Sequence, residues 1–255
     1  MIELIGLIMV IGFLLLIYML REAFLNNIKY EEICFEDYPE AAGPLTIFFI
    51  SDIHRRKISD RIISGIDGKA DIVVIGGDLT EKGVSFKRVE ENILKLKGLG
   101  PVYFIWGNND YEVEERTFRN LLESNGVILI ENTSLLLEGS GSHPVALIGV
   151  EDLSLGRDDI EKAFDGVPEK SFRILLAHNP DTIKKLRKEH KVSLMLSGHT
   201  HGGQIRILGF GMYQKGNLSI IAGTFVLVSN GYGTTALPLR LGAPPETHLI
   251  TIKGT

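Results

Sequence analysis

Asp, His and Asn side chains gather in five short, glycine-rich segments: Ser51-Asp52-Ile53-His54, Gly76-Gly77-Asp78, Gly107-Asn108-Asn109-Asp110, Ala177-His178-Asn179 and Ser197-Gly198-His199-Thr200-His201. Together they spell a two-metal site. Carboxylate, amide and imidazole donors suit divalent Mn, Fe or Zn, and no thiolate joins them. Several segments directly follow an apolar, β-branched run: Leu45 to Ile50, Ile72 to Ile75, Val102 to Trp106, Ile174 to Leu176 and Val192 to Leu196. Such runs read as buried parallel strands. Loops at the carboxyl ends of those strands are where sites form in open α/β sheets.

The order D-x-H, G-D, G-N-x-D, H, G-H-x-H resembles the calcineurin-like metallophosphoesterase superfamily. The strings from Leu176 to Asp181 and from Gly198 to Gln204 resemble its bacterial membrane-associated branch. The resemblance runs from Leu45 to the C-terminus and implies a two-sheet αββα sandwich. It also implies one metal held by Asp52, His54 and His201 and a second held by Asn108, His178 and His199. Asp78 is the candidate bridge, because a carboxylate can offer one oxygen to each ion and a histidine cannot. His199 and His201 are two apart, which on an extended strand puts them on one face. Asp110 is expected to orient a neighbouring ligand.

The commoner family pattern is G-N-H-D, in which the histidine reaches the scissile phosphate. Here that position is Asn109, which can donate a hydrogen bond but no proton. General-acid help, worth ~10²–10⁴-fold, is therefore expected to be missing or supplied elsewhere. The reaction implied is in-line attack on phosphorus by metal-activated water, with Arg55 and Arg56 as candidate phosphate ligands or, equally, a solvated turn. Substrate candidates are phosphodiesters, phosphomonoesters and pyrophosphates, including lipid-linked ones. The alternative class is a non-catalytic metal-binding scaffold that recruits a protein partner; intact ligands favour the enzyme and Asn109 favours the scaffold.

Composition bounds the rest. At 255 residues with a net charge of −5, the chain suits one sizeable α/β domain and offers no basic stripe for nucleic acid. The single cysteine, Cys34, excludes an internal disulfide. Leu4 to Leu20 is free of charge, Pro and amides, and reads as an uncleaved membrane helix. A cleaved signal peptide would want a basic flank and a small-residue cleavage site, which are missing; a buried core helix is the third reading. Arg21 and Lys29 follow the helix, and the positive-inside tendency then places the catalytic domain in the cytoplasm.

The expected organisation is a single-pass anchor at 1–21, a juxtamembrane connector or edge strand at 22–44, and a phosphoesterase domain at 45–255. Helices are predicted over Ile58 to Ile66, Ser85 to Leu99, Glu115 to Ser124, Asp158 to Phe164 and Thr182 to His190. Strand-like stretches at Val127 to Glu138, Val145 to Val150 and beyond Gly202 predict a second, partly antiparallel sheet. His143, His190 and His248 receive no role, and Asp60, Asp71 and Asp181 are read as caps or turn residues.

Overall fold

Strands with no polar alternation must be covered on both faces, and this chain does so with two stacked sheets and a helical layer outside each. The computed structural model describes residues 1–137 and 144–255; His143, and Glu138 at the end of a predicted strand stretch, lie outside the described residues. The chain opens with α1 (Ile2–Ala23) and β1 (Asn27–Phe35), followed by β2 (Leu45–Ile50), α2 (Asp60–Ile66), β3 (Ile72–Gly76), α3 (Phe86–Lys97), β4 (Val102–Ile105), α4 (Glu115–Ser124) and β5 (Ile128–Leu129). Then come β6 (Thr133–Leu137), β7 (Val145–Val150), α5 (Ile160–Phe164), β8 (Phe172–Ala177), β9 (Leu194–Ser197), β10 (Asn217–Ile221), β11 (Thr224–Val228) and β12 (Glu246–Gly254).

The first sheet has the order β1-β12-β2-β3-β4-β5 and the second β10-β11-β9-β8-β7-β6. From β2 to β5, and from β7 through β8 and β9 to β11, neighbours run parallel. Antiparallel pairs occur where β12 meets β2, β6 meets β7 and β10 meets β11. The period of two along β2 divides its side chains. Phe48 and Ile50 pack with Ile62, Val89, Ile93 and Phe118 under α2, α3 and α4. Ile47 and Phe49 pack instead between the sheets with Leu147, Ile174 and Leu196. A third cluster joins Ile148, Leu175 and Met195 to Ile160 and Ala163 of α5. Each fully buried aliphatic or Phe side chain contributes about 1.5–3 kcal/mol of transfer free energy, so both sheets are rigid platforms for the loops at their rims.

Three expectations change on folding. Asn27–Phe35 pairs along all nine residues with β12, so the first sheet begins ahead of Leu45 and the segment read as connector or edge strand is an edge strand. Thr182 to His190 is no α-helix; 3-10 turns at Pro180–Lys185 and Lys188–His190 are separated by extended Leu186 and Arg187, whose N–H is taken by His190 Nδ1 at 2.9 Å. Asp60 and Asp181 are not the caps: Ser59 and Asn179 accept the first helical N–H groups. Asp71 accepts from Thr46 N–H at 2.7 Å as a turn residue.

Helix α1 is long and apolar enough to cross a membrane, and none of its apolar window is buried in the protein, which removes the core-helix reading. Its carboxyl end is tied down by Arg56. That guanidinium donates to the carbonyls of Ala23, Phe24 and Leu25 and to Asn26 Oδ1, and its face lies 3.8 Å from the Tyr232 ring centroid.

Candidate metal centre

Each metal-ligating side chain proposed from the sequence sits one to four residues beyond the carboxyl end of a parallel strand, Asp78 two beyond β3. Within the first rim Asp52 N–H donates to Gly77 O at 3.0 Å and within the second Gly198 N–H to His178 O at 3.0 Å, while Tyr232 N–H to Ser51 O at 2.9 Å joins the two at backbone level. The backbone pays for this convergence. Asp52, His54, Asp78, His199 and His201 all have positive φ, between 50° and 71°, a conformation costing of order 1–3 kcal/mol per non-glycine residue and retained mostly at functional sites. Gly77, at φ +86°, lies so close to the His178 ring that a Cβ would stand 2.5 Å from Nδ1; a Cβ on Gly107 would run into the Asp78 carboxylate.

Two donor groups result. In the first, Asp52, His54 and His201 bring ligand atoms within 4.8 Å of one another. His54 Nε2 and His201 Nε2 face each other at 3.2 Å, Asp52 Oδ1 is 3.3 Å from His201 Nε2, and Asp78 Oδ2 is 3.7 Å from His54 Nε2. In the second, His178 Nε2 lies 3.3 Å from the same Asp78 Oδ2, and Asn108 Oδ1 lies 2.9 Å from His199 Nδ1. Asp78 therefore stands between the groups. The structure brings all seven predicted ligands together, and it adds Asp152, whose carboxylate clusters within 4.8 Å with His178 and His199.

Neighbouring groups hold these side chains in place. His178 Nδ1 meets the Gly76 carbonyl at 2.8 Å, which leaves Nε2 aimed at Asp78. Glu81 Oε2 lies 2.9 Å from His54 Nδ1 and its other oxygen pairs with Arg55, a carboxylate beside the ring of the kind that orients imidazole ligands. Asp110 is buried and accepts the N–H groups of Asp78 (2.7 Å), Gly107 (2.9 Å) and Thr80 (2.9 Å). Burial first, and then the charge of Asp78, push its pKa up to about 7.

The imidazoles divide sharply by environment. Burial opposes charging His178, yet the Asp78 carboxylate, then Asp52 and the Gly76 carbonyl, hold its pKa up at about 10. His54 is likewise raised against burial, by Glu81, Asp78 and Asp52. His201 is driven well down by burial and by the cations His54 and Arg240, and burial and His178 lower His199. Fully buried Arg240 donates to the carbonyls of Asn230, Gly233 and Ala243 at 2.6–2.7 Å and lies 3.3 Å from His201 Nδ1; burial lowers it to about 10.

The donor set fits divalent metal: buried carboxylates at the centre need positive charge, and the Nε2 atoms of His54 and His201 face each other at 3.2 Å beside Asp52 and Asp78. Asp152 Oδ2 is buried with no hydrogen-bond partner among the described residues, although Oδ1 caps the turn at Leu155.

Some predicted roles move. His199 and His201 do not share a strand face; both follow β9 on left-handed backbone, so they turn to different donor groups. Arg55 does not enter the cleft, because Glu81 and the Lys82 carbonyl hold its guanidinium, and Arg56 is committed to the carboxyl end of α1. Asn109 does line the cleft. Its N–H donates to Asp78 Oδ1 at 2.8 Å, its Oδ1 accepts from Asn108 Nδ2 at 2.9 Å and its Nδ2 donates to Glu112 at 2.9 Å. His190 accepts from Arg187 N–H, and His248 lies 3.1 Å from Ser229 Oγ, both away from the cleft.

Sequence reading missed Asp152, Glu81 and Arg240. Asp152 had a signal: it follows β7 at the same rim as the other ligand loops. Glu81 follows Asp78 by three residues, whereas nothing local marks Arg240.

The cleft over this centre is about 540 Å³, floored by Asp78, Asn108, Asn109, His199 and His201 and walled by Ile205, Met212, Tyr213 and Leu237. A larger cleft of about 850 Å³ runs along Cys34–Asp37 and Lys191–Ser193, but none of the metal-ligand clusters found among the described residues lies there, and chemistry places the site in the smaller one.

Residues 45–203 match the family described as calcineurin-like phosphoesterase. The chain is 45% identical to the uncharacterized protein YpbG of Bacillus subtilis, over 83% of this chain and 82% of that one. It is 30% identical to the phosphodiesterase YaeI of Escherichia coli, over 84% of each. A zebrafish (Danio rerio) transmembrane protein with metallophosphoesterase domain is 33% identical, over 87% of this chain and 56% of the longer relative.

Proposed function

Because this chain belongs to the calcineurin-like phosphoesterase family, and is a metal-dependent hydrolase with it, we propose that it is a membrane-anchored phosphodiesterase working with two divalent metal ions. The observation that carries this reading is the central Asp78, whose one oxygen faces His54 on one side and His178 on the other. Asp52, His54, His201 and Asp78 would hold one ion. Asn108, His178, His199 and Asp78 would hold the other, with Asp152 as an additional carboxylate donor. When bound, such ions acidify water for attack on phosphorus and neutralise the phosphoryl oxygens.

The remaining work belongs to the chain's own residues. Glu81 fixes the ring of His54, Gly76 O that of His178, and Asp110 the backbone of Asp78. Asn109 lines the cleft and, through Asn108, sets the amide oxygen against His199. Its amide can donate a hydrogen bond to a phosphoryl oxygen but gives no proton to the leaving group, so substrates with acidic leaving groups suit this site. The name of the Escherichia coli relative favours a diester. The apolar helix α1, together with the zebrafish relative's description, supports the anchor, and Arg21 and Lys29 behind it favour a cytoplasmic catalytic domain.

The test is to purify the full chain in detergent, measure bound metal by elemental analysis, and assay it with added Mn against aryl diesters, aryl monoesters and pyrophosphates. Two equivalents of metal and preferred cleavage of diesters are expected. One equivalent or less, or loss of no metal in Asp78→Ala, overturns the two-ion assignment. Stoichiometric metal without turnover on any substrate would favour the scaffold reading.

A further inference from the structure

Next to the cleft the chain builds a short hairpin whose chemistry is reversed from that of an ordinary surface turn. Ile207 and Phe210 exchange N–H···O hydrogen bonds of 2.8 and 2.9 Å, and the two tip residues, Leu208 and Gly209, both have positive φ, 51° and 87°. Such tips normally carry Asn, Asp or Gly, which tolerate that backbone and face water well. A bulky Leu there is a conformational outlier, and it is 93% exposed, with Phe210 at 83% and Met212 at 88%. The turn is not slack: Arg206 donates to the carbonyls of Gly202, Gly209 and Tyr213 at 2.6–2.9 Å and staples it from within. A contiguous exposed apolar patch held in a defined shape marks an interaction surface.

Position identifies the partner. The base of the hairpin is bonded to Leu241, through Leu241 N–H to Gln204 O at 3.0 Å and Arg206 N–H to Leu241 O at 2.7 Å. The adjacent Arg240 donates its N–H to Met19 O, near the carboxyl end of α1. One residue along the chain is about 3.8 Å, so the hairpin leaves the body beside the end of the apolar helix. Ile205 and Met212, on its two legs, also wall the metal cleft.

We propose that residues 205–213 form an apolar lip that inserts into the lipid bilayer beside α1, so that the metal cleft opens along the membrane surface and receives phosphodiesters carried by lipids. This rests on α1 being a membrane anchor, as proposed above. Two apolar contacts side by side fix the tilt of the domain on the bilayer, which one helix alone leaves free.

The test uses the full chain in phosphatidylcholine–phosphatidylglycerol vesicles. A Cys34→Ser background receives a single cysteine at Leu208→Cys or, on α3, at Leu94→Cys, each labelled with bimane. Position 208 is expected to be quenched by spin-labelled lipid and to be at least fivefold less accessible to iodide than position 94. Equal iodide access at the two positions, or shielding of 208 from both quenchers by a protein contact, overturns the proposal.

A second arm compares bis-p-nitrophenyl phosphate with the p-nitrophenyl phosphodiester of dioleoylglycerol embedded in vesicles. Leu208→Asp with Phe210→Asp should lower turnover of the lipid substrate at least tenfold while leaving the soluble one within twofold; equal loss on both overturns the lip's role in delivery. If the unsubstituted chain cleaves neither diester, the phosphodiesterase reading fails, and the quenching result still decides the docking.

Discussion

Asp152 shows how one carboxylate can serve both the backbone and the centre: Oδ1 caps a turn, Oδ2 is buried without a hydrogen-bond partner among the described residues, and the carboxylate clusters with His178 and His199. Asn is as good an N-cap as Asp, so Asp152→Asn should keep the fold and weaken metal binding by roughly 10–100-fold, read by chelator competition; unchanged affinity would reduce Asp152 to a cap. At Asn109, Asn109→His should raise turnover of alkyl diesters more than of aryl diesters, because a proton donor helps most when the leaving oxygen is basic. Rates compared at matched metal occupancy decide this, and equal or lower turnover on both would make Asn109 a tuned part of the site. Away from the centre, burial and then Lys29 press the His248 pKa down to about 3 from 6.5. The unfolded chain therefore takes up a proton as pH falls through 6.5 while the folded chain does not, and stability is lost progressively from pH 6.5 towards 3. By pH 5 that loss is ~2 kcal/mol. In His248→Gln, denaturant unfolding at pH 7 and pH 5 should differ by that much less than in the parent.

At the scale of elements, α1 and β1 do different work although they are neighbours in the chain. Deleting residues 1–18 removes exposed helix and keeps the Met19 carbonyl that Arg240 uses, so a folded, metal-competent, more soluble domain is expected. Extending the deletion through residue 26 strips Arg56 of three carbonyls and Asn26 Oδ1. A half-buried guanidinium left with unmet donors costs about 1–3 kcal/mol. Thermal melts of the two truncations should therefore separate by several degrees, and coincident melts would show that the clamp carries no stability. The ligand loops depend on elements in another way: β2, β3 and β4 in the first sheet, and β7, β8 and β9 in the second, each end at one rim of their sheet because parallel strands all point their carboxyl ends the same way.

For the molecule as a whole, the centre joins the two sheets. Asp52, Asp78 and Asn108 come from the first, while Asp152, His178, His199 and His201 come from the second. Ions bound between them would cross-link the sandwich at one end. At a hundredfold excess over Kd each ion stabilises the folded state by ~2.7 kcal/mol, which for a chain of this size corresponds to roughly 5–10 °C. Removing metal with a chelator should lower the melting temperature by that amount for each ion lost and adding Mn should restore it; a melt indifferent to chelator would mean that no ion bridges the sheets.

The sequence by itself determined the donor inventory, the strands that carry it and the apolar helix, because these are written in local residue type and period. Leu45–Ile50 and Glu115–Ser124 form over the residues their patterns predict. Tertiary structure alone decided what depends on backbone direction and on distant neighbours. His199 and His201 part company because their left-handed φ breaks the two-residue alternation of a strand. Arg55 and Arg56 turn away from the cleft because Glu81 and the carboxyl end of α1 offer better partners. Arg240 reaches His201 from 39 residues away, and the apolar hairpin stands beside both the helix and the cleft. No period in a one-dimensional pattern encodes such pairings, since they arise only when two sheets stack and bring their rims within a few ångströms.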